Sequence, residues 1–389
     1  MSNRIVSFVV ILVAGVMAAQ ASAQYAVGPR KASNNRGVAR TGHQVHSPSI
    51  RGSAGQADTQ QVSYEQVSEM GEMIVEGDYG DMVATCNGDC GDRFCSTCGP
   101  RLVLSGGFEF TFLKPYYEHN PAFTTINSNG ATFQDVAVTE FEYQRELSPR
   151  VWVELHANAG LGIRGTYWQF DHAAATATGQ PPANGLGNLI PPRFLDEDLS
   201  TGVPNSTYTA DADLKAYYVQ LEATKTADMC LWSLTATGGV RFAEIEQGYV
   251  STLNNPNGAN LGSINFQHRI QGVGPTFSLR TERWLGPVQV FGAARGSLLF
   301  GDGTSQLTIV EDADLDDAFT STMTENRGDL LPIGEMQFGV LWTPRAEGVW
   351  KPFVQAALEG QIWSDVGNAS SVDGDLGFFG FNTGVGFDW

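Results

Sequence analysis

The chain has 389 residues, 42% hydrophobic and only 17% charged, with 45 Gly, 22 Phe and 8 Trp, enough for one large domain or two small ones. Its formal net charge of -19 argues against a nucleic-acid partner, because no basic stripe exists to neutralise phosphates. Acidity says little more, since acidic loops keep many secreted proteins soluble.

In chain order, Arg4 precedes an apolar run from Ile5 to Ala19 and then Ala21-Ser22-Ala23. This is the n-region, h-region and cleavage site of a secretory signal, so residues 1–23 are expected to be removed after Ala23. No later stretch reaches the ~18 apolar residues that a spanning helix needs, so membrane insertion of the mature chain has to use strands. Residues 24–100 read as a low-complexity periplasmic extension. Tyr25 to Gln61 is rich in Ser, Gly, Asn and Gln, carries Arg30, Lys31, Arg36, Arg40 and Arg51, and has little to bury. Tyr64 to Val83 has the makings of a short helix. Cys86, Cys90, Cys95 and Cys98 follow at x3, x4 and x2 spacing. In an exported chain, disulfides are the first reading of such a cluster. A metal site, against which the missing second knuckle of a zinc ribbon speaks, and free or redox-active thiols are the alternatives. With Cys230 the total is five, so at least one thiol lacks a partner within the chain.

From Leu102 the chain becomes strand after strand with a period of two. Phe108, Phe110 and Phe112 alternate with Gly107, Glu109 and Thr111; Phe141 and Tyr143 alternate with Glu140, Glu142 and Gln144. Val151 to Tyr167 keeps one parity throughout, which favours a single long strand after a turn at Ser148-Pro149 over a hairpin at Asn158. Strands follow around Tyr217 to Ala223, Trp232 to Phe242 and Ile264 to Trp284. In the last of these the apolar parity switches at Gly272-Val273-Gly274, where a β-bulge would restore the facing. Further strands are read around Val288 to Leu298, Met336 to Trp342 and Val354 to Ile362. The terminal one places Phe379, Phe381, Thr383, Val385, Phe387 and Trp389 on one side, and makes ten strands in all.

The connections alternate in length. They run long at 117–135, short at 148–149, long at 173–213, short at 226–230, long at 250–263, short at 285–286, long at 302–333, short at 345–349 and long at 365–376. This segregation is what an antiparallel up-and-down transmembrane β-barrel shows, and a soluble sandwich has no reason for it. It places both termini in the periplasm of a bacterial outer membrane. In hydrocarbon every backbone amide must pair internally, so strands span only as a closed barrel, here residues 101–389. The polar parity then lines the lumen, which assigns Glu109, Glu142, Glu154, Arg164, Glu222, Arg241, Arg269, Arg280, Arg295, Glu335 and Glu359 inward. Such a lining suits a water-filled channel for small hydrophilic solutes. It equally suits Arg–Glu pairs that close a barrel only slightly wider than the ~8-stranded size whose side chains fill it.

The stretch Gly160-Leu-Gly-Ile-Arg164, the following Tyr167-Trp-Gln-Phe-Asp-His172 and the terminal Gly-Phe-Asp-Trp resemble the Legionella-type pore-forming major outer-membrane protein family. The similarity covers roughly residues 101–389. The resemblance implies an outer-membrane barrel that forms a pore, with a closed structural or adhesive barrel as the alternative. The terminal Phe387 and Trp389 look like the recognition signal of outer-membrane barrels, so outer-membrane lipid and the assembly machinery are the expected partners, with a homo-oligomer left open.

No enzyme, cofactor or metal is expected. His156 and His172 lie on or beside one strand, without the Ser and polar partner that a barrel lipase would need. Glu311, Asp312, Asp314, Asp316 and Asp317 form an acidic loop without the glycine and terminal Glu of an EF-hand. A disulfide from Cys230 to the N-terminal cluster is a further expectation.

Overall fold

A computed structural model of the chain describes residues 102–130, 134–157, 160–181, 187–192, 205–229, 231–312, 318–344 and 350–389. The expected signal segment and extension, all five cysteines and Asp314, Asp316 and Asp317 lie outside the described residues.

The described residues are strands and connections only: β1 (Leu102–Tyr117), β2 (Pro121–Ser128), β3 (Gln134–Glu140), β4 (Glu146–Ala157), β5 (Leu161–Ala173), β6 (Ala177–Gly179), β7 (Asn188–Ile190), β8 (Thr207–Met229), β9 (Trp232–Asn254), β10 (Asn260–Leu285), β11 (Val288–Glu311), β12 (Phe319–Trp342), β13 (Lys351–Trp363) and β14 (Leu376–Asp388). Ten of them form a ring of antiparallel neighbours, β1-β4-β5-β8-β9-β10-β11-β12-β13-β14. The ring closes where β14 returns to β1, from Ser105 opposite Asp388 to Tyr117 opposite Leu376. Leu104 and Trp389 exchange backbone hydrogen bonds of 2.9 and 2.8 Å at that seam. With no free edge, every ring strand has two partners, as a hydrocarbon surround demands. Outside the ring, β6 extends the sheet beside β8, and β3-β2-β7 form a small separate sheet in the long connections.

The side-chain pattern divides the barrel into two halves. In β11, Val290, Ala294, Leu298 and Phe300 face outward while Gln289, Arg295 and Ser297 face in. One step later the polarity reverses. Leu299 is 0% and Phe300 57% exposed, and from there Leu307 and Ile309 point in while Asp302, Thr304 and Gln306 point out. The half nearer Leu102 and Trp389 therefore wears an apolar belt around a polar interior. The half nearer the long connections has a polar outside around an apolar core that includes Leu214, Ile245, Ile264 and Phe266, together with Ala122 and Phe123 from β2. Strands β8 to β12, at 23 to 26 residues, are far longer than the ~9–11 needed to cross a bilayer, which leaves this second half in water.

Several expectations need correction. The switch in β10 is not a bulge: its pairing with both neighbours runs through Gly272-Val273-Gly274 without a register shift, and the apolar set changes sides because the surroundings change from water to lipid. Val151 to Tyr167 is a hairpin, with Gly160 at φ +71° in its turn. The connection 158–160 has an odd number of residues, so His156 pairs with Gly162 and the parity passes through unbroken. Ser148-Pro149 is no turn but sits inside β4 opposite Thr111 and Phe110. Pro149 lies one residue before the β5 ladder begins at Arg150, near the strand start, where proline is tolerated. The long connections expected at 250–263 and 302–333 shrink to 255–259 and 312–318, because the strands continue past the belt.

The expected facing of β14 is found: Phe379 is 50% exposed on the outside, and Phe378 is 1% exposed inside. At the terminal end Trp350 packs on Phe387 and Trp389, with centroids 5.1 and 6.0 Å apart.

Candidate functional site: the barrel interior

Glu109, Glu154, Arg164, Glu222, Arg241, Arg280, Arg295, Glu335 and Glu359 all fall on the inward parity of their strands. Two expected members do not. Arg269 lies on the outer wall with Gln267 and Gln271 and ion-pairs Glu244 at 2.7 Å, while Tyr217 donates to the same carboxylate at 3.0 Å. In that half of the barrel the polar parity faces out, so polarity no longer marks the lumen. Glu142 is exposed in the irregular segment 141–145, where the chain has left the sheet between β3 and β4.

Near mid-height the inward charges close on one another. Arg150 donates to Glu109 Oε2 at 3.0 Å, to Glu359 Oε2 at 2.9 Å and through Nε to the Tyr218 hydroxyl at 3.2 Å. A second contact, from Arg150 Nη2 to Glu359 Oε1, makes the pair two-pronged. Glu359 also accepts from Gln337 at 3.0 Å, Gln361 at 2.8 Å and Asn382 at 2.8 Å, so its buried carboxylate is fully solvated by protein. Arg241 pairs with Glu335, donates through Nε to Gln220 at 3.0 Å and lies 4.1 Å from the Tyr218 ring centroid. Arg295 pairs with Glu222 and sits 3.9 Å from Glu335. The seven charged residues come from seven strands, and the pairs run across the lumen as well as along its wall.

An aromatic tier lies directly above. Trp168 is surrounded by Tyr218, Phe378 and Trp363 with centroids 5.3, 5.7 and 6.2 Å away, and its indole N–H donates to Thr111 at 3.2 Å. Higher still, the long connections are tied into the interior. Tyr249 donates to the Ala122 carbonyl at 2.8 Å, so Tyr208 must supply the hydrogen in the 2.6 Å bond between the two hydroxyls. Gln247 donates to the Val366 carbonyl at 2.8 Å, and Asn368 to that of His119 at 2.8 Å. The interior is thus closed by an ionic tier, an aromatic tier and an apolar core. Toward the terminal end the ionic tier borders a cavity of about 70 Å³, room for a few waters, whose lining includes Arg164, Thr166, Arg280 and Arg295.

Arg150, Trp168, Tyr218, Trp363 and Phe378 were not foreseen in this role. Arg150 shares the parity of Trp152 and Glu154, but placing a turn at Ser148-Pro149 hid it. The four aromatics sit on the inward parity, and alternation alone does not tell an inward ring from an outward one. His172 Nε2 donates to the Leu147 carbonyl at 3.0 Å. Among the described residues no group of three or more His, Cys, Asp or Glu stands close enough to hold a metal ion.

The family model described as Legionella pneumophila major outer membrane protein precursor matches residues 104–353, more than half of the chain. No curated protein matches its sequence. Among solved structures, the outer membrane protease OmpT of Escherichia coli aligns at 12% identity and a TM-score of 0.38, over 74% of this chain and 96% of that one. The toluene transporter TodX of Pseudomonas putida aligns at 5% identity and a TM-score of 0.31, over 74% and 89%. The toluene transporter TbuX of Ralstonia pickettii follows at 11% and 0.26, over 75% and 90%. Those likenesses are too low to carry an argument, and the sequence match rests on its own. The chain is a bacterial outer-membrane β-barrel that belongs to the Legionella pneumophila major outer membrane protein family.

Proposed function

We propose that the protein is a porin-like barrel that passes small hydrophilic solutes or ions through its mixed-charge lumen, and that the state described above is its closed state. The observation that carries this reading is the ionic tier: Arg150, Arg241 and Arg295 buried against Glu109, Glu222, Glu335 and Glu359. Removing charges from water is costly, and apolar side chains of similar volume would fill the space at least as stably. The same chain fills its other half with Leu, Ile and Phe. Retaining ions at the level of the belt fits a wall that has to solvate polar cargo, with Gln220, Gln337 and Asn382 at hand as alternative partners when the pairs exchange. The aromatic tier then acts as a second, apolar barrier. Long connections at one end and short turns at the other favour both termini in the periplasm.

A second reading, a structural barrel with a permanently closed lumen and functional surface loops, is favoured by the packing of Trp168 against Trp363 and Phe378. Single-channel recording in planar bilayers separates the two. Conductance steps from the folded wild-type protein, enlarged in a Trp168→Ala/Trp363→Ala variant, support the pore. Silence of both proteins, with intact β-sheet circular dichroism, selects the structural barrel.

A further inference from the structure

The cavity beside the ionic tier is lined by a cation, Arg164, that makes no ion pair within 4 Å among the described residues. Arg164 stands on β5 opposite Glu154, its guanidinium 4.3 Å from the Trp152 ring centroid. Its Nε is buried without a hydrogen-bond partner, and no carboxylate lies within ion-pair distance of it among the described residues. Thr166, two residues along the same face and 7% exposed, has a buried hydroxyl that is likewise unpartnered.

The nearby carboxylates are committed elsewhere. Glu109 accepts from Arg150 and from the Trp152 indole at 3.1 Å, Glu154 from Thr224 at 2.8 Å, and Glu282 from Arg280 at 2.6 Å. Arg280 and Arg295 line the same cavity as Arg164 and Thr166. Four guanidinium groups, those of Arg150, Arg164, Arg280 and Arg295, face this space of about 70 Å³ against two carboxylates, Glu109 and Glu335, which are already paired with Arg150 and Arg241, so the lining keeps an excess of positive charge.

We infer that this cavity binds a small inorganic anion, between halide and phosphate in size, held by Arg164 and Arg280 and by the Thr166 hydroxyl. A guanidinium offers fixed, planar donors suited to such a guest, and the Thr hydroxyl donates a further hydrogen bond. The site lies in the lumen proposed above as a conduit, but occupancy requires only access from one end, so the inference stands or falls apart from conduction.

The test uses the purified full chain in detergent, with sodium bromide as the probe against sodium gluconate at constant ionic strength. Wild type is expected to show a saturable, bromide-dependent rise in its unfolding midpoint, and crystals grown in bromide an anomalous peak between Arg164, Arg280 and Thr166. Inorganic phosphate should compete for it. Arg164→Gln should weaken the apparent affinity at least tenfold, and Thr166→Val should weaken it less while keeping the fold. Arg283→Gln, which removes a cation seated on Trp232 away from the cavity, should leave it unchanged. Absence of the anomalous peak, or a bromide effect that is unsaturable or equal in wild type and the Arg164 or Thr166 variants, overturns the site and leaves a water-filled cavity. Bilayer recording is independent of these readouts: bromide binding without conductance refutes the pore and not the site, and conductance without bromide binding does the reverse.

Discussion

Arg150 on β4 and Glu359 on β13 meet in a two-pronged ion pair although 209 positions separate them. Two strands, β1 and β14, intervene between them in the ring, so the pair ties the wall on both sides of the closure seam. Glu359→Gln keeps the shape but leaves Arg150 with only Glu109 as a charged partner. The expected cost is ~3 kcal/mol, near the low end for breaking a buried pair. It should appear as a lower unfolding midpoint in detergent. A midpoint equal to wild type would mean that the tier contributes nothing to holding the seam.

The reversal of polarity between Leu298 and Leu307 makes three neighbouring lysine substitutions in β11 behave differently. Leu298→Lys points into the apolar belt close to its edge and should cost up to ~1 kcal/mol. Gln306→Lys points into water and should stay within ~0.5 kcal/mol of wild type. Leu307→Lys buries a charge in the upper core and should abolish folding of that half. Refolding yields measured by heat-modifiable gel migration rank the three. Equal tolerance of Gln306→Lys and Leu307→Lys would remove the case for an inside-out upper half.

Gly301 and Gly272 face each other across β11 and β10, and a Cβ on Gly301 would lie 1.8 Å from the Gln271 carbonyl oxygen. Backbone cannot yield there without parting the strands. Gly301→Ala is expected to destabilise the barrel severely, whereas Gly296→Ala, with nothing within 4 Å of its Cβ, should be neutral. Comparing the two by thermal unfolding checks the register, since a shift of one residue exchanges their environments.

Removal of Trp389 deletes two seam hydrogen bonds and the packing on Trp350, a modest loss for a sheet of this size. If the terminal aromatic serves chiefly as an assembly signal, the truncated chain should refold in detergent with near wild-type yield. Its amount in the outer membrane of expressing cells should nonetheless fall several-fold. A parallel fall in both would assign the residue to stability instead.

Alternation in β14 and its neighbours made the strands legible in the sequence, and the absence of a long apolar run left closure into a barrel as the way those strands could cross a bilayer. The number of ring strands came out at ten by a partly mistaken route, because an odd connection at 158–160 hides a hairpin from any parity count. Inward charges were readable in the belt half, where lipid outside forces polarity inside; hence Glu109, Arg241 and Glu359 were placed correctly and Arg269 was not. A period of two divides residues into two faces without saying which is inner. That assignment depends on the solvent at each height, and only the folded ring sets the height. The cross-lumen partnerships of Arg150, and the aromatics that seal the space above it, were decided by ring size and strand stagger, which bring distant positions to one level and leave no trace in local spacing.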